Sequence, residues 1–146
     1  MSFLFITDVP TPYRVEMYNS IAESLTDLEV WYFQKESVIR PWVFDPESMK
    51  HKYWIAGGFH KWIGIYPLFI NPHLVLKLLF TQPREIILAA GWNDFDVLCI
   101  VILKRIRLIR GRVGFWSEAN HLTIGASRDN YLKFIMRRFV YNACDG

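Results

Sequence analysis

SFLFITDVPTPYRVEMYNSIAESLTDLEVWYF, residues 2–33, decides how the rest of the chain is read. Ser2 to Thr7 form a short apolar run of aromatic and β-branched residues, the pattern of a buried strand. Two prolines in DVPTPYR then force a loop. From Arg14 to Leu25, the residues Val15, Tyr18, Ile21, Ala22 and Leu25 recur at helical spacing, and Glu16 near the start complements the helix dipole. LEVWYF, residues 28–33, reads as a second strand. Strand, loop, helix and strand in that order make a βαβ unit, which predicts a parallel sheet with a right-handed crossover.

The pattern continues outward. Residues 34–52 are polar and irregular. YWIAGG, residues 53–58, reads as a third strand closed by glycines. After HKWIGIYPLFI, Asn71 is placed to cap and Pro72 to begin a helix to about Phe80. EIILAAG, residues 85–91, is a fourth buried strand, followed by a helix from about Asn93 to Leu108. RVGFWS, residues 112–117, is a fifth strand, and a last helix is expected from about Arg128 to Arg138. Strands and helices alternate without an internal repeat, so the expected fold is a doubly wound α/β sandwich with a largely parallel sheet. The chain stops at YNACDG, where the alternation asks for another strand. This leads us to expect residues 1–146 to be one piece of a two-domain protein.

With 146 residues, 52% hydrophobic, 16% aromatic and 21% charged, the chain has the composition of one folded domain rather than a disordered segment. Cys99 and Cys144 lack metal-ligand spacing, and Cys99 lies in the apolar run Val97–Leu103, which predicts a reduced, buried thiol and a cytoplasmic setting. That seven-residue run is the longest uninterrupted one, far short of the ~20 residues of a membrane span. No metal centre is expected. Charge is uneven: residues up to 98 carry 8 basic and 11 acidic groups, and those from 99 onward 9 and 3. Arg105, Arg107, Arg110 and Arg112 form a dense basic patch. It has two principal readings: cations complementing a helix C-terminus, or attraction to anionic lipid headgroups or phosphate. No nucleic-acid-binding motif accompanies the patch, and nucleic acid is not expected as a partner.

Open parallel sheets bind ligands beyond the carboxyl ends of their strands. Three loops meet at that rim: TDVPTPYR after the first strand, AGWND after the fourth and SEANH after the fifth. The first offers Asp8, Thr11, Tyr13 and Arg14. Arg14 either joins the helix start in holding an anion or is a solvated cation there. This loop lacks the glycine signatures of dinucleotide and NTP sites, and Asp8 lacks the companion acids of a phospho-receiver domain. In the second loop Gly91 allows close backbone approach. Trp92 either stacks on a sugar ring or packs beneath the loop, and Asp94 reads as a helix cap or first-turn acid. In the third, Ser117, Glu118, Asn120 and His121 cluster. Glu118 and His121, three residues apart, are a carboxylate and an imidazole able to orient hydroxyls and move protons at neutral pH. The plainer reading pairs Glu118 with a cation such as Arg14 and leaves His121 as polar surface.

Taken together, TDVPTPYRVEMYNSIAESL, LEVWYF, AAGWND and GFWSEANH resemble the N-terminal half of retaining glycosyltransferases of family four, enzymes of GT-B architecture. The resemblance covers nearly the whole chain and implies a Rossmann-like three-layer α/β sandwich serving as the acceptor-side domain. It further implies hexosyl transfer from a nucleotide-sugar donor to a sugar or lipid-linked glycan acceptor in polysaccharide biosynthesis, on the cytoplasmic side and peripheral to the membrane. By position, Asp8 to Arg14 match the loop facing donor and acceptor. Glu118, Asn120 and His121 match the turn lining the acceptor cleft, with Glu118 and His121 expected to be catalytic and Ser117 and Asn120 to bind substrate. Many relatives carry glycines in the first loop where this chain reads DVPTPYR. The donor is held in that family mainly by a C-terminal nucleotide-sugar-binding domain with an E-x-x-x-x-x-x-x-E segment, which has no counterpart here. No cofactor is therefore expected in this chain itself. The resemblance also implies retention through front-face attack, with the donor phosphate helping to remove the acceptor proton. The alternatives are a non-catalytic carbohydrate- or nucleotide-binding module, or one subunit of a split transferase.

Overall fold

The computed structural model describes residues 2–36, 43–63, 66–117 and 131–145. Five strands form one sheet in the order β3 (Lys52–Ile55), β2 (Leu28–Tyr32), β1 (Phe3–Thr7), β6 (Glu85–Ala89), β7 (Arg112–Phe115), and every pairing within it is parallel. Parallel neighbours need a crossover, and the helices supply them. Helix α1 (Pro12–Ser24) joins β1 to β2, α2 (Pro72–Thr81) precedes β6, α3 (Phe95–Arg105) joins β6 to β7, and α4 (Tyr131–Tyr141) follows β7. This is the expected Rossmann-like α/β sandwich, with the chain reversing direction across the sheet between β1 and β6.

Alternation along the strands separates the two layers of the core. Leu4, Ile6, Trp31, Ile86, Leu88 and Val113 pack with Leu74 and Leu78 of α2, Ile100 of α3 and Val140 of α4. Phe5, Val30, Tyr32 and Ala89 pack on the opposite side with Tyr18 of α1. Strands covered on both faces read as unbroken apolar runs, which is why β1, β2 and β6 were legible. The edge at β7 is closed by the chain's own end: the Asp145 amide donates to the Val113 carbonyl at 2.7 Å, and the Val113 amide to Asp145 Oδ2 at 2.8 Å. Paired in this way, the strand offers fewer open backbone groups to another chain.

HKWIGIYPLFI received no assignment from the sequence; in the structure β4 (Phe59–Ile63) and β5 (Tyr66–Ile70) form an antiparallel two-stranded hairpin outside the main sheet. Phe69 of this hairpin packs on Phe33 with ring centroids 5.9 Å apart. Pro67 and the polar pair His60-Lys61 hide the strands from a periodicity reading. Gly57, at φ +59, sits in the left-handed region just before β4, a conformation glycine adopts without strain. Boundaries move elsewhere by a few residues. Helix α1 begins at Pro12 rather than Arg14, and the last helix, described over Tyr131–Tyr141, runs past Arg138; its expected start at 128 lies outside the described residues. Cys99, expected to be buried, is half-buried, and burial with the nearby Asp96 charge raises its thiol pKa.

Candidate functional site

At the carboxyl ends of the strands, where a crevice is expected, β1 and β6 run side by side, with Thr7 in register with Ala89. Thr7 is fully buried, and its hydroxyl lies 3.0 Å from both the Ala89 carbonyl and Asp8 Oδ1. Arg14, on the first turn of α1, turns back over these strand ends. Its Nη1 donates to Asp8 Oδ1 at 2.7 Å, to Thr7 Oγ1 at 2.5 Å and to the Ala89 carbonyl at 3.1 Å. Only 12% of the Arg14 side chain is exposed, against 41% of Asp8. A guanidinium so placed ties loop, strand and sheet together, as charge-assisted bonds to several acceptors do. It is not the solvated helix-start cation of one sequence reading. The Arg14 guanidinium also lies 5.9 Å over the half-exposed ring of Tyr13.

Thr11 occupies the N-cap position of α1, yet makes no capping bond through its side chain. It is buried, and its hydroxyl has no hydrogen-bond partner among the described residues. A buried, unsatisfied hydroxyl costs about 1–3 kcal/mol relative to a bonded one, so this loop carries a polar atom that a ligand or water would satisfy.

In the second loop, the Gly91 amide donates to Asp94 Oδ2 at 2.7 Å. A Cβ on Gly91 would come within 2.9 Å of that same oxygen, so a larger residue here would push the Asp94 carboxyl aside. Asp94 holds the N-cap position of α3 but bonds backward to Gly91 rather than capping the helix, correcting its reading as a cap. Burial, aided by the Asp8 charge, pushes its carboxyl up to about 7, against the stabilising Gly91 N–H. A carboxyl raised to this range can gain or lose a proton at neutral pH. Sequence reasoning passed over it because an acid at the start of a helix is usually structural. Trp92 is half-buried against the core, with the Arg137 guanidinium of α4 lying 5.4 Å over its ring.

At the third loop, Trp116 follows β7 directly. Its amide donates to the Leu88 carbonyl at 2.8 Å and its ring meets Phe5 edge-on, with 43% of the residue exposed. Ser117 is exposed beside it. Glu118, Asn120 and His121 lie outside the described residues. The structure therefore brings together Asp8, Arg14, Gly91 and Asp94, places Thr11 and Tyr13 on the adjoining turn, and positions Trp92 and Trp116 on the neighbouring loops. Thr7 and Asp94 were the residues missed.

The basic patch is not one surface. The Arg105 guanidinium lies 4.9 Å over the Phe139 ring, and Arg112 pairs with Glu85 through Nη2 at 2.5 Å. Arg107 and Arg110 are exposed and carry no ion-pair partner among the described residues. Among those residues no group of three His, Cys, Asp or Glu side chains can hold a metal ion, and no helix is long and apolar enough to cross a membrane. Comparison with family models, with characterised proteins and with solved structures finds no match for this chain.

Proposed function

We propose that the chain is the acceptor-side domain of a glycosyltransferase that moves a sugar from a nucleotide-sugar donor to a glycan or lipid-linked acceptor. The observation that carries this reading is the group of polar side chains gathered where β1 and β6 end side by side. It comprises the part-exposed carboxylate of Asp8, the buried carboxyl of Asp94 raised to about 7, a buried Thr11 hydroxyl without a partner among the described residues, and partly exposed aromatic rings at Tyr13 and Trp116 on the neighbouring loops. Carboxylates that accept from hydroxyls, beside aromatic faces that pack on C–H groups, are the chemistry that recognises sugars. In this reading Glu118 and His121 orient the attacking hydroxyl, Ser117 and Asn120 line the acceptor cleft, and a separate domain holds the donor. The protein's work would be positioning and charge stabilisation around a retaining displacement, which requires no nucleophile from this half.

A second reading, a non-catalytic carbohydrate-binding module, is favoured by one observation. Arg14, the cation of the first loop, is bonded to Thr7, Asp8 and Ala89 through Nη1, so that nitrogen is committed to the protein rather than to a donor phosphate. Transfer of radiolabelled sugar by the complete protein separates the two. Transfer that falls at least about a hundredfold in Glu118→Gln, at unchanged thermal midpoint, is the expected result. Glycan binding without transfer from any nucleotide-sugar would instead establish the binding module.

A further inference from the structure

Helix α3 is apolar nearly all round. Its inner side, with Val97, Ile100 and Val101, is fully buried in the core. Its outer side carries Phe95, 45% exposed, and Ile102, 48% exposed, with the half-buried Cys99 between them and Ile106, 58% exposed, at the helix end. From Val97 to Leu103 no charged residue interrupts the sequence. A surface helix of a globular protein turns polar residues outward, and a helix that is apolar on every side is a buried one. Among the described residues, nothing takes these outer side chains out of water.

The spacing of the row identifies what fits it. Phe95, Cys99, Ile102 and Ile106 are separated by four, three and four positions, the same order read from either end. Positions three and four apart share one helix face. A row with that symmetry complements itself when a second copy is turned end for end: Phe95 of one copy meets Ile106 of the other, and Cys99 meets Ile102. The three charged residues within its span are engaged by their own chain. Asp96 is buried against Asn71, Lys104 pairs with Asp145 at 2.8 Å, and the Arg105 guanidinium lies 4.9 Å over the Phe139 ring. Helices α2 and α4 cover the same side of the sheet and widen the face with exposed Leu76, Phe80, Phe134 and Ile135. Three helices about 10 Å apart and about 16 Å long present about 500 Å² per copy, or about 1,000 Å² in a pair, the lower bound of a specific interface.

We propose that α3 is the seam of a two-fold symmetric dimer, packed antiparallel against α3 of a second copy of this chain. The same patch then serves both copies, as a closed two-fold interface requires. Antiparallel packing also sets each helix start beside the partner's helix end, the arrangement that helix dipoles favour. The symmetry of the row selects a second copy over an unrelated protein, which would have no use for it. Asp94 stands at the start of α3, beside the ends of β1 and β6. An antiparallel seam therefore carries the Asp8–Asp94 groups of the two copies to opposite ends of the dimer, where each meets its own ligand. The dimer does not depend on the sugar-transfer reading.

Sedimentation velocity of the purified chain over a range of concentrations tests the seam. A concentration-dependent dimer is expected. Ile102→Glu should weaken it at least about a hundredfold, because each copy then carries a carboxylate into an apolar contact. Cross-linking reads the register of the pair. In a Cys144→Ser background, with diamide as the two-electron oxidant, Ile102→Cys sets a thiol opposite Cys99 of the other copy. Covalent dimer should then form at least about tenfold faster than through Cys99 alone, since a disulfide needs Cα atoms within about 7 Å. This second measurement decides the matter if Ile102→Glu fails to fold. A monomer at every concentration, a dimer that Ile102→Glu leaves unchanged, or cross-linking through Cys99 alone that is equally fast overturns the proposal. So does a monomer that floats with phosphatidylglycerol vesicles until Ile102→Glu abolishes it, which would make this face a lipid surface.

Discussion

The two ends of the parallel sheet treat charge in opposite ways. At the carboxyl end Arg14 is folded inward onto Asp8, Thr7 and Ala89, and Asp94 is buried against the Gly91 amide. At the amino end Arg84, Arg107 and Arg110 stand exposed beside uncovered apolar side chains. The carboxyl end thus fixes its charges against the protein's own groups, whereas the opposite end leaves these three cations without an acidic partner among the described residues. A count of basic residues along the chain does not tell these uses apart, because partners lie far away in sequence. Arg112 meets Glu85 across 27 positions, and Arg105 meets Phe139 in a different helix.

The largest expected effect sharpens the first half of this contrast. The folded-state pKa of Asp94 is raised from 3.8 to about 7. Its favourable contribution is therefore complete below pH 4 and is lost as pH rises towards 7. Asp94→Asn should accordingly stabilise the protein at pH 8, by about 2–4 kcal/mol in urea denaturation, and not at pH 4. His51 acts in the opposite sense. Burial lowers its pKa from 6.5 to about 4, so its contribution is present above pH 6.5 and lost as pH falls towards 4. The two oppose each other between pH 4 and 6.5, and in the Asp94→Asn variant stability should climb across that interval.

Arg14→Ala comes next. It removes the group that joins Asp8, Thr7 and Ala89, and should cost about 2–3 kcal/mol at neutral pH, read from the denaturation midpoint. An unchanged midpoint would break the contrast by making Arg14 as dispensable as a surface arginine. Gly91→Ala is smaller. The added Cβ must displace the ends of Asp94 and Asn93, with a loss of about 1 kcal/mol and a shift in Asp94's titration seen by carboxyl NMR. Smallest is Arg110→Ala, expected to change stability by less than about 0.5 kcal/mol in the same denaturation measurement, as an exposed arginine without an acidic partner among the described residues should.

The sheet was legible because β1, β2 and β6 are buried on both faces and bounded by prolines, glycines and polar turns. The β4–β5 hairpin was not, since Pro67 and His60-Lys61 break both helical and strand periodicity. The position of Asn71 at the head of α2 was readable, but its partners were not. Its side chain accepts from the Gly58 amide and donates to Asp96 Oδ2, groups that only the tertiary fold brings to it. For the same reason Asp8, Arg14 and Gly91 could be named from sequence as rim residues. That Arg14 would face inward, and that Asp94 would become the neutral-pH acid, depended on burial and on the neighbouring Asp8 charge.

The central claim is that the β1–β6 crevice takes a hydroxylated sugar ligand. Mapping amide shifts by NMR during titration with an oligosaccharide panel tests it most directly. The account predicts that at least one glycan moves the amides of Asp8, Thr11, Gly91 and Asp94 together, and that Asp94→Asn weakens that response. Shifts confined to surfaces away from these strand ends, or none with any glycan, would contradict it.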